Sequence, residues 1–519
     1  MARWMLPLVL TALGASCRPG RQRASAASTK PNIVVFIVDD LGWQDVQLPF
    51  ADSATAMNVR NRTPALLALA SRGMTFTNAY AAAPVCTPTR VALITGRVPA
   101  RTHVTNWTQH RNQETSEPFP WLKAPDWARN GVNARATDTS AYSGPMLPSL
   151  LREAGYRTIH AGKAHWGATD TPGADPTTLG FDINIGGTSA GQPGSHLGTK
   201  SYSSGPGDGR FRDVPGLARY HGTSTFLSDA LTIEANAAVA TAVREGKPFF
   251  LHLAHYAVHT PIESDPRYVQ RYRDAGLDPR EAAYASQIEG VDKSLADLVA
   301  QLNTLGVLDN TIIVFLSDNG GLAAHSRGVA AHTANAPLRS GKGSAYEGGL
   351  RVPFVVAWPK HVAEGHRVAV PIITDDLFPT LLKIGGVAHA ERYTMGIRGR
   401  ELSAVFAAGA GSPPAASLAE RPLIWHYPHF WGVRGPGIEP FSAVRIGRWK
   451  LIYYYADHRH ELFDLRADLS ETRNLAVSQD SVARRLVAVL RDELVSAGAQ
   501  MPVDAQTGRP VPLPAATRP

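Results

Sequence analysis

The residues able to do chemistry in this 519-residue chain fall into a few short motifs. Asp39 and Asp40 lie near the end of KPNIVVFIVDDLGW, and Asp318 and Asn319 lie near the end of LDNTIIVFLSDNGG. Three carboxylates and an amide oxygen make a hard, oxygen-only donor set, which suits Ca²⁺ or Mg²⁺ rather than zinc. Taken singly, an Asp–Asp or Asp–Asn pair is an ordinary turn or helix cap. Two such pairs behind two apolar runs point to a cation. Lys163 and His165 stand two apart in GKAHWG, so an extended backbone sends both side chains the same way. His259 lies in HYAVHTP, and Lys342 sits in the glycine-flanked RSGKGSAYEGG. His252, His255 and His259 raise a zinc reading. Their spacing lacks the glutamate of the zinc-protease helix motif, and Pro261 argues against a continuing helix. Cys86, in CTPTR, is one of only two cysteines, the other being Cys17. With no disulfide framework available, it reads as a buried filler, a thiol nucleophile, a metal ligand or a precursor of another group.

These residues need elements to carry them. Residues 30–43 form a continuous apolar run with two carboxylates near its end, the pattern of a central strand buried on both faces. PALLALASRGMTFTNAY predicts a helix followed by an extended piece, and PSLLREAGYRTIHAGKAHWG repeats the pattern with a turn at Gly155. KPFFLHLAHYAVHTP and LDNTIIVFLSDNGG are two more apolar strands ending in polar clusters. Strands alternating with helices predict an α/β fold with a largely parallel sheet. In such sheets ligands gather beyond the carboxyl ends of the strands, where all four strands deliver polar residues. Residues 107–145 and 186–217 read as long polar loops, and 407–417 as a linker. Beyond it, SAVRIGRWKLIYYY and HELFDL alternate like antiparallel strands, and DSVARRLVAVLRDELVSAG is an amphipathic helix. The expected division is a signal peptide and short linker over 1–27, a catalytic domain over 28–406, a small α+β C-terminal domain over 418–500 and a loose tail over 501–519.

Composition narrows the classes. The balance of 52 Lys and Arg against 44 Asp and Glu gives a net charge of +8, scattered rather than gathered into a basic tract. That pattern reads first as a solvated basic surface and second as attraction to anionic substrates, and no nucleic-acid partner is expected. At the N-terminus, Arg3, an apolar run from Trp4 to Leu13 and small residues read as a secretory signal. Cys17 after Gly14-Ala15-Ser16 is an imperfect lipoprotein cleavage site, with Gly14 where Leu is usual. The expectation is an exported protein, periplasmic or held at a bacterial cell envelope by a lipid on Cys17.

CTPTRVALITGR, residues 86–97, resembles the signature of the sulfatase family, a Cys-x-Pro-x-Arg core followed by Thr-Gly-Arg. The likeness runs from Lys30 to about Leu475 through NIVVFIVDDLGW, GKAHWG, HYAVHTPIE, SDNGG, PLRSGKGSAYEGGLRVPF, GRWKLIYYY and ELFDL. It implies the alkaline-phosphatase-like fold, a large mixed sheet flanked by helices with a smaller C-terminal antiparallel sheet. It implies that Cys86 is oxidised to Cα-formylglycine by a separate maturation enzyme. It further implies a Ca²⁺ ion (Mg²⁺ as the alternative) held by Asp39, Asp40, Asp318 and Asn319 next to residue 86. Arg90, Lys163 and Lys342 would neutralise the oxygens of a sulfate ester. Asp318 would activate one hydroxyl of the hydrated aldehyde for attack, and His259 would protonate the departing alcohol. His165 would deprotonate the second hydroxyl, which expels sulfate. Ala164 stands where the family usually has Trp, with Trp166 following, so the pocket wall is expected to differ.

The expected substrates are sulfated small molecules or glycans. Trp107, His429 and Trp431 are candidates for stacking on sugar rings. Two other readings stand beside this one: a phosphodiesterase or phosphonate hydrolase of the same fold, and a non-catalytic glycan-binding lipoprotein.

Overall fold

The computed structural model describes Met1 and residues 30–323, 335–409 and 411–515. The expected signal peptide and Cys17 lie outside the described residues.

The molecule is organised by an eight-stranded mixed sheet. Its strands in chain order are β1 (Asn32–Val38), β2 (Met74–Phe76), β3 (Arg157–Gly162), β4 (Ile183–Ile185), β5 (Phe249–Ala254), β6 (Thr311–Ser317), β7 (Phe354–Ala357) and β8 (His366–Val368). They lie in the order β8-β2-β7-β6-β1-β5-β3-β4. The block β6-β1-β5-β3-β4 is parallel throughout. β7 runs antiparallel both to β6 and to β2, which makes the sheet mixed.

β1 explains why so apolar a run forms a strand here. Ile33, Val35 and Ile37 enter one core and Val34, Phe36 and Val38 enter the other. A strand side chain alternates between faces, so only a sheet covered on both sides gives all six a dry environment. Each such burial contributes about 1.5–3 kcal/mol. On one face pack helix α1 (Cys86–Thr95) and α2 (Leu147–Glu153). On the other pack α3 (Leu227–Arg244) and α4 (Pro279–Thr304).

The four strands that precede chemistry-bearing residues are mutually parallel and adjacent: β6, β1, β5 and β3. Their carboxyl ends therefore open on one edge, delivering Asp318, Asp39, His255 and Lys163. At the end of β3 the chain passes Gly162 at φ 100°, where an added Cβ would meet the Ala254 carbonyl oxygen at 1.8 Å. Only glycine allows that approach, and the next residue, Lys163, donates its N–H to the same oxygen at 2.7 Å.

A second, four-stranded antiparallel sheet follows: β9 (Leu423–Tyr427), β10 (Phe441–Ile446), β11 (Trp449–Tyr454) and β12 (His460–Asp464). The amphipathic helix α5 (Asp480–Ala497) covers one face through Leu486, Leu490 and Leu494. The other face packs on the first sheet's assembly through Trp425, Tyr427 and Phe463.

Three stretches differ from the reading of the sequence. The expected linker contains a helix, Pro413–Ala419, whose Ala415 and Leu418 enter the main core. The expected loose tail pairs Val503–Asp504 with Leu122–Lys123 and buries Val511. The loop at 186–217 has little regular structure but buries Ser189, His196 and Tyr202. In each case tertiary burial orders a segment whose local pattern is weak. No helix among the described residues is long and apolar enough to cross a membrane.

Candidate active site

At the carboxyl edge of the parallel strands lies a cavity of about 320 Å³. Cys86, Asp40, His165, His259 and Lys342 all line it. Cys86 is the first residue of α1, a helix buried along its whole length. Its Sγ lies 3.4 Å from Lys342 Nζ. Burial pushes the thiol's pKa up, against the pull of Lys163 and Lys342, so the side chain is a neutral thiol and a weak nucleophile as it stands.

Asp39 and Asp40 follow β1 where the strand pattern breaks: Asp40 adopts φ 60°, and its N–H donates to Asp318 Oδ1 at 3.2 Å. The turn brings together two neighbours that a regular strand would send to opposite faces. Lys342 Nζ donates to Asp40 Oδ1 at 2.6 Å, and Asn319 Nδ2 donates to the same oxygen at 2.7 Å. Lys163 Nζ donates to Asp39 Oδ2 at 2.7 Å. Burial opposes ionisation of Asp40, but Lys342, His259 and Lys163 hold it well below the usual carboxylate range. Asp39 goes the other way: burial, reinforced by Asp318, raises it well above that range.

Arg90, one helical turn beyond Cys86, donates from Nε to Asp318 Oδ2 and from Nη1 to the Lys163 carbonyl, both at 2.8 Å, and its Nη2 pairs electrostatically with the same Asp318 oxygen. Arg90 is buried beneath the floor, outside the residues that line the cavity. Both oxygens of Asp318 are engaged, and Arg90 and Lys163 overcome burial to keep it ionised.

Two buried oxygens of this cluster, Asp39 Oδ1 and Asn319 Oδ1, have no hydrogen-bond donor among the described residues. Among the ligand atoms of Asp39, Asp40, Cys86 and His259, every pair lies within 4.8 Å. The carboxyl groups of Asp39, Asp40 and Asp318 face three cations, Arg90, Lys163 and Lys342. Stranded hard oxygens among them fit a divalent hard cation, which would hold Asp39 ionised against its burial and give the floor the positive charge an anionic substrate needs.

His165 Nε2 lies 2.8 Å from the Thr108 carbonyl oxygen, which can only accept, so Nε2 carries the hydrogen. Nδ1 is then a bare lone pair, buried without a hydrogen-bond partner among the described residues. Burial, with Lys163 nearby, holds the imidazole neutral. His259 turns Nε2 to within 3.6 Å of Asp40 Oδ2. Burial and Lys342 lower its pKa to about 3. The zinc reading dissolves. His252 pairs with His160, Nδ1 to Nδ1 at 3.1 Å, and His255 bonds the Ser294 hydroxyl at 2.8 Å, so only His259 reaches the cavity.

The rim comes from the two long loops and the second sheet. Trp107 and Trp431 line the cavity, and Lys342 Nζ lies 5.8 Å from the Trp431 ring centre. His429 does not: it is buried, bonded to the Thr105 hydroxyl and packed against Trp127. Sequence reasoning missed Gln109, Gln192, Phe211, Arg212 and Thr260. All but Thr260 lie in the two long loops, where no periodicity marks a residue as facing a site. Thr260, next to His259, carried a positional signal. Phe211 packs on His110 with ring centres 4.6 Å apart, joining the two loops over the opening.

Known proteins resemble this chain over most of its length. The family model described as Sulfatase matches residues 31–387, and that described as N-sulphoglucosamine sulphohydrolase, C-terminal, matches residues 341–500. The chain is 28% identical over 492 residues to N-acetylgalactosamine-6-sulfatase of Canis lupus familiaris, covering 91% of this chain and 80% of the relative. It is 26% identical to N-acetylgalactosamine-6-O-sulfatase of Bacteroides thetaiotaomicron, covering 89% and 93%. The crystal structure of Ps i-CgsB in complex with k-i-k-neocarrahexaose superposes with TM-score 0.70 at 27% identity, covering 93% of this chain and 95% of that one.

Proposed function

Since the chain belongs to the sulfatase family, and is thus a sulfuric ester hydrolase, we propose that it removes sulfate from a sulfated carbohydrate. In this reading Cys86, matured to Cα-formylglycine by a separate enzyme, is the nucleophile, and calcium is the resident ion. The observation that carries the reading is the meeting of residue 86, Lys342 and the Asp39–Asp40 turn at one pocket floor.

Asp39 and Asn319, whose buried oxygens lack donors, would hold the ion together with Asp40 and Asp318. When bound, it supplies Lewis-acid stabilisation of the charge that builds on sulfate oxygens. A hydrated aldehyde at residue 86 offers two hydroxyls: one would pass its proton to Asp318 as it attacks sulfur, and later deprotonation of the other would expel sulfate. The remaining work belongs to side chains of the chain itself. Lys342, already beside residue 86, neutralises a sulfate oxygen. Lys163 holds Asp39 and sets the charge of the floor from behind. Arg90 keeps Asp318 ionised and in place. His165 receives a proton at Nδ1, and His259, doubly protonated once the anionic ester offsets the charge of Lys342, gives its Nε2 proton to the departing alcohol and keeps the one on Nδ1. A neutral thiol in place of the aldehyde hydrate would lack the second hydroxyl and could not release sulfate in this way.

A carbohydrate substrate is supported by the aromatic walls Trp107, Phe211 and Trp431, which suit the apolar faces of sugar rings. It is also supported by the relatives named for N-acetylgalactosamine-6-sulfate and by the neighbour solved with neocarrahexaose. Export to the cell envelope, with a lipid on Cys17, completes the proposal. It would put the enzyme where polymeric glycans are met.

Two measurements test it. Mass spectrometry of the peptide bearing residue 86 should find SH and H replaced by a carbonyl oxygen, and Cys86→Ala should abolish turnover. Full activity with an unmodified thiol would overturn the nucleophile. A panel of defined sulfated saccharides, aryl sulfates and matched phosphate esters should give its highest kcat/KM on a saccharide sulfate. Turnover confined to aryl sulfates would overturn the substrate class.

A further inference from the structure

His259 is held in its orientation by neighbours outside the carboxylate cluster. Its Nδ1 lies 3.0 Å from the Thr260 carbonyl oxygen and 3.1 Å from the Thr260 hydroxyl. A carbonyl oxygen only accepts, so Nδ1 carries the hydrogen and shares it between two oxygens. The Thr260 hydroxyl is then an acceptor towards the imidazole and must send its own hydrogen elsewhere. It does: Oγ1 donates to Gln192 Oε1 at 3.1 Å. The row has one consistent direction, from His259 to Thr260 to Gln192. The opposite ring nitrogen, Nε2, is thereby the one turned to Asp40 Oδ2 and the cavity. His196 Nε2, 3.2 Å from the His259 carbonyl oxygen, holds the backbone at the same point. Gln192 comes from the loop at 186–217 and Thr260 from beyond β5, so the row also ties the rim loop to the sheet edge.

We propose that Thr260 and Gln192 are positioning residues for the proton transfer at His259. They pin the imidazolium through its Nδ1–H so that the second hydrogen, on Nε2, alone meets the oxygen of the departing alcohol, and the neutral Nδ1–H imidazole is left behind. This rests on the reading of His259 as the group that protonates that alcohol. The role is selective. An alkoxide leaving from a sugar needs a proton in the transition state, whereas 4-nitrophenolate leaves readily without one. Loss of the row should therefore be felt on sugar sulfates far more than on a nitrophenyl sulfate.

The test compares kcat and KM of the full-length matured enzyme on a sulfated saccharide and on 4-nitrophenyl sulfate. Thr260→Val keeps the side chain's shape and removes its hydroxyl. It should lower kcat on the saccharide about 10- to 100-fold while moving KM less than about 3-fold. The loss on 4-nitrophenyl sulfate should be at least about 10-fold smaller, and Thr260→Ser should recover most of the saccharide rate. Gln192→Ala, which leaves Thr260 intact, should show the same selectivity at smaller size, and carries the test if Thr260→Val fails to fold. Equal losses on the two substrates, no loss on either, or failure of Ser to rescue would overturn the proposal. His259→Ala, run in parallel, separates the two ideas. If it fails to discriminate between the substrates, the proton-donor reading itself falls. If it discriminates and neither Thr260→Val nor Gln192→Ala does, only the positioning role falls.

Discussion

Two oxygens at the floor, Asp39 Oδ1 and Asn319 Oδ1, carry the argument for a cation, because a buried acceptor without a donor costs free energy that a hard ion would recover. Binding to the folded state alone must also raise stability. At calcium about 100-fold above its Kd the gain is about 2.7 kcal/mol, read as a rise in Tm that chelation reverses. Asn319→Ala should lose most of that rise, and an unchanged calcium-dependent shift would remove Asn319 from the site. Lys342 belongs to this scale as well. It contacts both Asp40 and Cys86, so Lys342→Ala should lower kcat/KM about 10²- to 10³-fold in steady-state assays. The motif spacing marked these residues, but not what each one touches. Arg90 and Cys86 stand four apart on one helix, which explains their nearness, yet only the packed structure places the guanidinium on Asp318 instead of in the cavity.

Elements deliver residues, and they do so through a few exacting junctions. At the end of β3, Gly162→Ala would press a methyl against the Ala254 carbonyl in a left-handed backbone. A drop in stability of about 1–3 kcal/mol is expected from the backbone alone, read by thermal melting, with a parallel loss of activity as Lys163 shifts. The helix Pro64–Ser71 shows a different kind of junction. Its Ala65 and Leu66 N–H groups both donate to the carboxylate of Asp292 at 2.9 Å, reaching across from α4. Burial raises Asp292 to about 6 despite those bonds. The folded state thus binds this proton more tightly than the unfolded chain. The associated stability is present in full below the unfolded value, near 3.8, and is lost as pH rises through about 6. Thermal melts between pH 4 and 7 should have a smaller pH dependence in Asp292→Asn than in the parent. An unchanged slope would show that another group sets it. The apolar runs of β1, β5 and β6 were legible because burial on both faces demands unbroken hydrophobicity. The loops at 107–145 and 186–217 were not, since nothing in their local pattern states which side chains turn inward.

Across the whole molecule, the two sheets are joined by charges that neither could bury alone. Lys450, on β11, is fully enclosed; it donates to Glu347 at 2.9 Å and forms an ion pair with Glu471 at 2.9 Å. Glu347 also meets Arg351 and the Tyr80 hydroxyl, and it follows the Lys342 loop by five residues. Burial pushes Glu471 up to about 7, while Lys450, Arg351 and Arg445 hold Glu347 ionised. Removing one member strands the others, so Lys450→Met should destabilise the protein by about 3–5 kcal/mol. It should also reduce turnover by loosening the segment that carries Lys342. Pairing it with Glu471→Gln should restore part of the lost stability, and strict additivity of the two changes would deny the coupling.

The amino-acid sequence alone determined the architecture and the inventory of reactive groups. Hydrophobic runs, their polar ends and the Cys-x-Pro-x-Arg signature are local properties, written in residue order. The tertiary structure decided the partners: Arg90 under the floor, His429 in the packing, Gln192 and Thr260 beside His259, and Lys450 as the bond between sheets. Those contacts join residues brought together by sheet order and by two folded-over loops. A side chain's hydrogen-bond partner depends on distance in space, which sequence separation does not encode.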